Sequence, residues 1–197
     1  DEYLNADDKR ELDRVLNFFW SLPLWLDLDW VRVVHACWEQ RHVDALGNDN
    51  RLTMKRLVEA STRGTTEYNA IEALLKGVEY ELPEGKFFHD KDSHRRTAVR
   101  TQWWHNADAT IGDIAFPKGE FDGDALADEV ISANDLVGYP ADGKPVFIGH
   151  YWMQGTPELM ADNVACLDYS VAKDGKLVAY RWDGEQTLSS ENFIHVQ

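Results

Sequence analysis

The chain has little cysteine, little basic charge and no long apolar run, and each shortage removes a class of protein. Only two cysteines, Cys37 and Cys166, occur in 197 residues. Neither stands in the CxxC spacing of a zinc site, and both lie in apolar, strand-like contexts. They read as reduced, buried thiols, with a disulfide between them disfavoured. Lys and Arg total 20 against 35 Asp and Glu, a formal charge of −15. A surface of that sign repels nucleic acid and anionic membrane, so neither is expected as a partner. No segment is apolar for long enough to span a bilayer. Asp1-Glu2-Tyr3-Leu4-Asn5 has neither the basic start nor the apolar core of a secretory signal, which predicts a cytoplasmic protein. GxSxG, Walker and GxGxxG patterns are missing, and the chemistries they carry have no support.

What is present describes a packed domain. The hydrophobic fraction is 44%, and eight tryptophans occur, a composition that buries a core and does not suit disorder. Residues Asp7 to Trp20 read as a helix, with Leu12, Val15, Leu16 and Phe19 at helical spacing and Asp7, Asp8 and Glu11 near its positive end. That apolar stripe needs a surface to pack on. Leu24 to Asp27 and Val31 to Val34 read as short strands joined by a turn. Two helices follow, Thr53 to Ser61 with Leu57 and Val58 inward, and Thr65 to Lys76 with Tyr68, Ile71 and Leu75 on one face. Thr65 or Thr66 caps the second helix and Gly77 ends it.

Leu82 to Asn106 gathers basic residues and ends in Trp103-Trp104-His105. Ile111 to Gly143 is acidic and rich in Gly and Asp, which predicts a surface excursion. The last third is β in pattern: Asn163 to Ser170 and Lys176 to Trp182, joined through Asp174-Gly175, then Asn192 to Val196 after the Asp183-Gly184 turn.

Two segments carry the chemistry. Val146-Phe147-Ile148 stops at Gly149, and His150 follows; Val31 to Val34 is followed by His35. A buried strand that ends abruptly presents its next side chain at the carboxyl edge of a sheet, where α/β folds hold their ligands. Two such strands would bring two imidazoles to one metal, and imidazole suits Mn, Fe, Zn and Ni. A single strand-end histidine is more often a hydrogen-bonded structural residue, and periodicity alone does not show that the two meet.

Other candidates have weaker patterns. Lys91, Arg96 and Arg100 belong to a basic stretch that either clamps a phosphate or forms a solvated face. His89-Asp90 and Asp92-Ser93-His94 are a weak metal signal without fixed geometry. Trp38, Trp103 and Trp104 either stack on a base or fill the core, the latter favoured by the abundance of tryptophan. Asp168, inside a β run, is either functional or a structural hydrogen-bonding group.

Leu22-Pro23-Leu24-Trp25-Leu26, Val33-Val34-His35-Ala36-Cys37-Trp38, Gly149-His150-Tyr151-Trp152, Cys166-Leu167-Asp168-Tyr169-Ser170 and Lys176 through Glu185 together resemble the calcineurin-like metallophosphoesterases. The similarity is to the bacterial branch near serine/threonine protein phosphatases and diadenosine tetraphosphatases. Phe87 to Asp92 and Trp103-Trp104 fit that branch as well. Trp30 and Ser93 depart from it at turn-glycine positions, which bears on local loop shape.

The resemblance implies an α/β/β/α sandwich with a mixed sheet, terminal hairpins and a dinuclear metal site at the strand carboxyl ends. It implies His35 and His150 as ligands of one metal, with divalent Mn the first expectation and Fe, Zn or Ni the others. Lys91, Arg96 and Arg100 are the candidate contacts to substrate phosphate. The substrate would be a phosphorylated small molecule, a nucleotide or dinucleoside polyphosphate, or a phosphoprotein. The family's opening motifs, Asp-x-His, Gly-Asp-x-x-Asp-Arg-Gly and Gly-Asn-His-Glu or -Asp, do not occur. Residues 1–197 are therefore expected to be the C-terminal part of one such domain, with a helical insertion at about 39–143. No complete catalytic set lies within the chain, so it is expected to be inactive alone and to self-associate through surfaces left by the missing half. The alternative is a non-catalytic binding or assembly module.

Overall fold

A computed structural model describes residues 6–89, 93–118, 121 and 125–197. The chain opens with helix α1 (Ala6–Ser21), then strands β1 (Trp25–Asp27) and β2 (Arg32–Val34). Helices α2 (Gln40–Leu46), α3 (Met54–Ala60) and α4 (Thr66–Lys76) follow. Four short strands come next: β3 (Glu79–Glu81), β4 (Phe88–His89), β5 (Arg95–Arg96) and β6 (Ala98–Arg100). Strand β7 (Ala109–Thr110), helix α5 (Ile111–Ile114) and strand β8 (Val130–Ile131) lead to the C-terminal third. That third holds β9 (Val146–Ile148), β10 (Leu159–Ala161), β11 (Val164–Cys166), β12 (Asp168–Tyr169), β13 (Lys176–Tyr180) and β14 (Phe193–Val196).

The class is mixed α/β. A five-stranded mixed sheet runs in the order β1-β2-β9-β11-β10, with β9 parallel to both β2 and β11 and the outer strands antiparallel. Strands β9 and β11 are buried at every residue, as parallel strands covered on both faces must be. Their alternate residues go to different cores. Val34, Val146, Ile148, Val164 and Cys166 join Leu74, Trp38 and Trp103 in one cluster. Phe147 and Ala165 turn the other way, onto Tyr180 and Phe193 of the β12-β13-β14 sheet. The Phe147 and Tyr180 rings lie 5.1 Å apart.

Local chemistry explains the helices. The Thr53 and Thr65 hydroxyls accept from the backbone N–H groups of Arg56 and Tyr68, closing the starts of α3 and α4. Gly77 ends α4 with φ 83°, a left-handed turn that glycine adopts without strain. The buried face of α4 is Ala70, Ile71, Ala73 and Leu74, rotated from the expected Tyr68, Ile71 and Leu75.

Two expectations are corrected. Leu57 and Val58 of α3 face solvent. The inward position goes to Arg56, whose guanidinium donates to the Asp49, Arg51 and Leu46 carbonyls at 2.6, 2.7 and 2.8 Å. Those carbonyls need a donor, and meeting them turns the apolar pair outward. The acidic region from Ile111 onward is no mere surface excursion. Ile111, Ile114, Phe121, Leu126 and Ile131 form a second core with Leu82 and Val99. Its apolar residues are too widely spaced among Gly and Asp to show a period.

The α1 stripe finds no cover: Leu12, Leu16, Phe18 and Phe19 are exposed. So are Leu177, Ile194 and Val196 on the three-stranded sheet, where Leu177 lies opposite Val196. Among the described residues, no helix is long and apolar enough to cross a membrane.

The turn into β13 has the tightest steric demand. A Cβ on Gly175 would stand 2.0 Å from the Tyr169 carbonyl oxygen, a backbone atom that cannot swing aside. Gly175→Ala is expected to cost at least about 2 kcal/mol by separating β12 from β13. Chemical denaturation monitored by tryptophan fluorescence checks it; an unchanged midpoint would mean that the turn relaxes freely.

Candidate metal centre

The histidine pair is assembled by strand pairing. β2 and β9 run parallel, with Arg32 beside Val146 and Val33 beside Phe147. The register puts the residues after each strand at one carboxyl edge, where the Gly149 N–H donates to the His35 carbonyl at 2.9 Å. The His35 and His150 rings have centroids 5.1 Å apart. β11 is the next parallel strand, and Asp168 stands just beyond its end. A Cβ at Gly149 would lie 3.7 Å from the Asp168 Cβ, so His35, His150 and Asp168 share the edge.

The backbone there is unusual. His150 and Trp152 both adopt positive φ, 70° and 50°, a conformation disfavoured for bulky side chains. Such strain persists where surrounding structure holds it, and it clusters at ligand-binding positions. The Tyr151 between them is buried, its ring edge-on to Trp104 and Phe116 at 5.9 and 4.9 Å. Burying Tyr151 anchors the turn and leaves its two neighbours at the edge.

His35 is exposed and His150 half-buried. The Nε2 of His150 is buried without a hydrogen-bond partner, which leaves a lone pair or a proton unsatisfied. Desolvation lowers the His150 pKa first, and the positive charge of Arg100, the neighbouring His35 and Lys76 lower it further against the opposing Asp168 carboxylate. The imidazole is therefore held neutral, the form that binds metals. Asp168 also has a structural bond, accepting from the Ser170 N–H at 3.1 Å.

The two imidazoles are two ligands only. Among the described residues, no group of three or more His, Cys, Asp or Glu is arranged to hold a metal ion. The unpartnered Nε2 fits a divalent ion as one ligand of a larger set.

The other candidates divide. Arg100 is half-buried on β6 and near enough to act on both His150 and Tyr151. Arg96 is exposed on β5, in the β4-β5 hairpin. Lys91 lies outside the described residues, as do Asp90 and Asp92 of the weak second metal motif. His89 packs edge-on against Phe87 at 5.5 Å. Ser93, at an expected glycine position, has φ 64°, the region for which glycine is usually chosen. Trp38, Trp103 and Trp104 are core: all are buried, and the Trp103 N–H donates to the Ala36 carbonyl at 3.0 Å.

Cys37 and Cys166 are free and buried. Burial pushes the Cys166 thiol up to about 11 and the Cys37 thiol well above its ordinary value, so both are poor nucleophiles. A cleft of about 790 Å³, which neither His35 nor His150 lines, is walled by Arg32, Trp38, Glu39, Tyr80 and Tyr139 among others. In that cleft Glu39 pairs with Arg41 and lies 3.0 Å from the His42 ring nitrogen, with its Oε2 buried and making no hydrogen bond, and Arg32 pairs with Asp27 and stacks on Trp38. Sequence reading missed Lys76 and Trp152 at the histidine edge. Lys76 looks like any helix-terminal lysine, whereas Trp152 had one signal, its place two residues after a strand-end histidine.

Compared with protein-family models, curated proteins and solved structures, the chain matches none.

A histidine with a depressed pKa favours the fold above the ordinary histidine value. That contribution is lost as pH falls towards the folded value, because the unfolded chain takes up the proton first. An NMR titration of the histidine ring protons is expected to place the His150 midpoint below the ordinary value of 6.5. In Arg100→Gln the midpoint should move up. A midpoint at or above the ordinary value in the parent chain would contradict the environment described.

Proposed function

We propose that this chain is the C-terminal part of a metal-dependent phosphoesterase of the calcineurin-like class, contributing His35 and His150 as ligands of one divalent metal. The observation that supports the reading is the pair itself. Two imidazoles stand 5.1 Å apart at the carboxyl ends of adjacent parallel strands, and one has a buried, unpartnered nitrogen. The metal, Mn by first expectation and otherwise Fe, Zn or Ni, would supply a lowered water pKa and a positive charge against phosphate oxygens. His150, kept neutral by its surroundings, can coordinate without first losing a proton. Arg100, half-buried and near enough for its charge to act on His150, is the guanidinium best placed to meet a phosphate oxygen. Arg96 and Lys91 remain candidates for the outer part of the same anion. The family's opening motifs, which would carry the other ligands, do not occur in the sequence, so the chain alone should bind metal weakly and hydrolyse nothing.

Calorimetric titration with Mn²⁺ tests this directly. Loss of even a group that orients a metal ligand typically costs about 10–100-fold in affinity, so His35→Ala and His150→Ala should each weaken binding by more than about tenfold. p-Nitrophenyl phosphate should not turn over in the parent chain. Equal Mn²⁺ affinity in the parent and both variants would reject the metal site, and metal-dependent turnover would reject the incomplete set.

A second reading, an assembly module, is supported by the exposed apolar faces of α1 and of the β12-β13-β14 sheet. Contiguous exposed apolar surface marks interaction sites. Here light scattering is expected to show association that grows with concentration and weakens in the double variant Leu16→Lys, Phe19→Lys. A monomer at high concentration would count against this reading.

A further inference from the structure

The cleft of about 790 Å³ has no part in the metal reading. Its volume lies in the range of sites that hold small molecules. Val78, Tyr80, Leu136 and Val137, all half-buried, give it an apolar wall. Charge on the rest of the wall is mostly negative: Glu39, Glu72, Glu79 and Asp135 stand there against Arg32 and Arg41. Both guanidiniums are engaged, Arg32 with Asp27 and Arg41 with Glu39, and Glu72 pairs with Lys76. Among the described residues, Glu79 and Asp135 take part in no ion pair.

Glu39 is the group on that wall with an unmet need. It is 6% exposed, the one buried charged residue among those described. It stands just before α2 yet does not cap the helix, for its side chain makes no capping hydrogen bond. One carboxylate oxygen meets Arg41, a side chain that lies mostly in water. The other, Oε2, is buried and makes no hydrogen bond, although the His42 ring nitrogen lies 3.0 Å away. An imidazole built to serve that oxygen would meet it in line. A carboxylate oxygen removed from water without a donor is costly, and such atoms mark places where a partner is missing.

We infer that this cleft binds a small aliphatic diamine, one ammonium meeting Glu39 Oε2 and the other held by Glu79 and Asp135. The His42 ring belongs to the same wall, and its turning aside opens Oε2 to the guest. The alkyl stem lies along Val78, Leu136 and Val137, as lysine stems lie on apolar surface, and Tyr80 offers a ring to the cation. The acidic chain raises the local concentration of such cations. The site is separate from the histidine edge and stands whether or not that edge binds metal.

Calorimetry on the full chain compares cadaverine with pentanediol, which has the same stem and no charge, and with Nα-acetyl-lysine amide, which has one ammonium on a peptide-like body. Cadaverine should bind at a single site, at least about tenfold more tightly than either, because hydrogen bonds to charged groups are the strong ones. Glu39→Gln should remove most of that preference. Glu191→Gln, the same loss of charge on the exposed surface, should leave it unchanged. In NMR spectra of the parent chain the His42 ring signals should shift on titration with cadaverine while those of His35 and His150 stay in place, a readout that does not require Glu39→Gln to fold. Equal binding of diamine and diol, a loss in Glu191→Gln as large as in Glu39→Gln, or His42 signals that do not respond would overturn the site. Blocked lysine bound as tightly as cadaverine would overturn the diamine in favour of a lysine side chain from a partner.

Discussion

One backbone hydrogen bond, from the Gly149 N–H to the His35 carbonyl, determines most of the candidate site. It extends the parallel pairing of β2 and β9 by one step past the strand ends, so that the residues leaving each strand do so side by side. Parallel strands must be joined by a long crossover, and here the crossover holds, among the described residues, four α-helices, six small strands and a separate apolar core. That region brings Arg100 back to the histidines and supplies Trp103, whose indole bonds the Ala36 carbonyl just past His35. The strand pair and its crossover are thus one device.

Burial then sets the chemistry of what the pairing brings together. Tyr151 goes into the core, and the residues on either side of it are forced into left-handed backbone. His150 loses enough solvent that its charged form is disfavoured, and the nearby cations act in the same direction. A neutral imidazole with an unpartnered nitrogen results, a group whose needs a metal ion would meet. The same desolvation acts differently on Cys37 and Cys166, whose pKa values it raises, keeping them as inert thiols. One physical term favours a neutral histidine and yields two unreactive cysteines.

Much of the fold was legible where local chemistry decides structure. The charged start of α1, the threonine caps of α3 and α4, and the abrupt stop at Gly149 are signals carried by neighbouring residues. So is the pattern of fully apolar three-residue strands. What failed was orientation. Leu57 and Val58 read as a buried pair until Arg56 claimed the inward position for three carbonyls brought close by another loop. Asn163 to Ser170 read as one strand, yet the chain changes sheets at Leu167, so that β11 and β12 belong to different sheets. The acidic stretch after Ile111 hid a core because its apolar residues meet through turns and 3-10 segments that have no period to read.

The sequence by itself determined that His35 and His150 end apolar strands, that the cysteines are buried thiols, and that the surface is strongly acidic. These follow from residue type and immediate neighbours. Only the tertiary structure decided that the two histidines face each other, that Asp168 and Arg100 join them, and that Trp38 and Trp103 are buried while Trp30 and Trp152 are left in water. Distance between residues more than a hundred positions apart is set by sheet register and core packing, to which no short stretch of sequence has access.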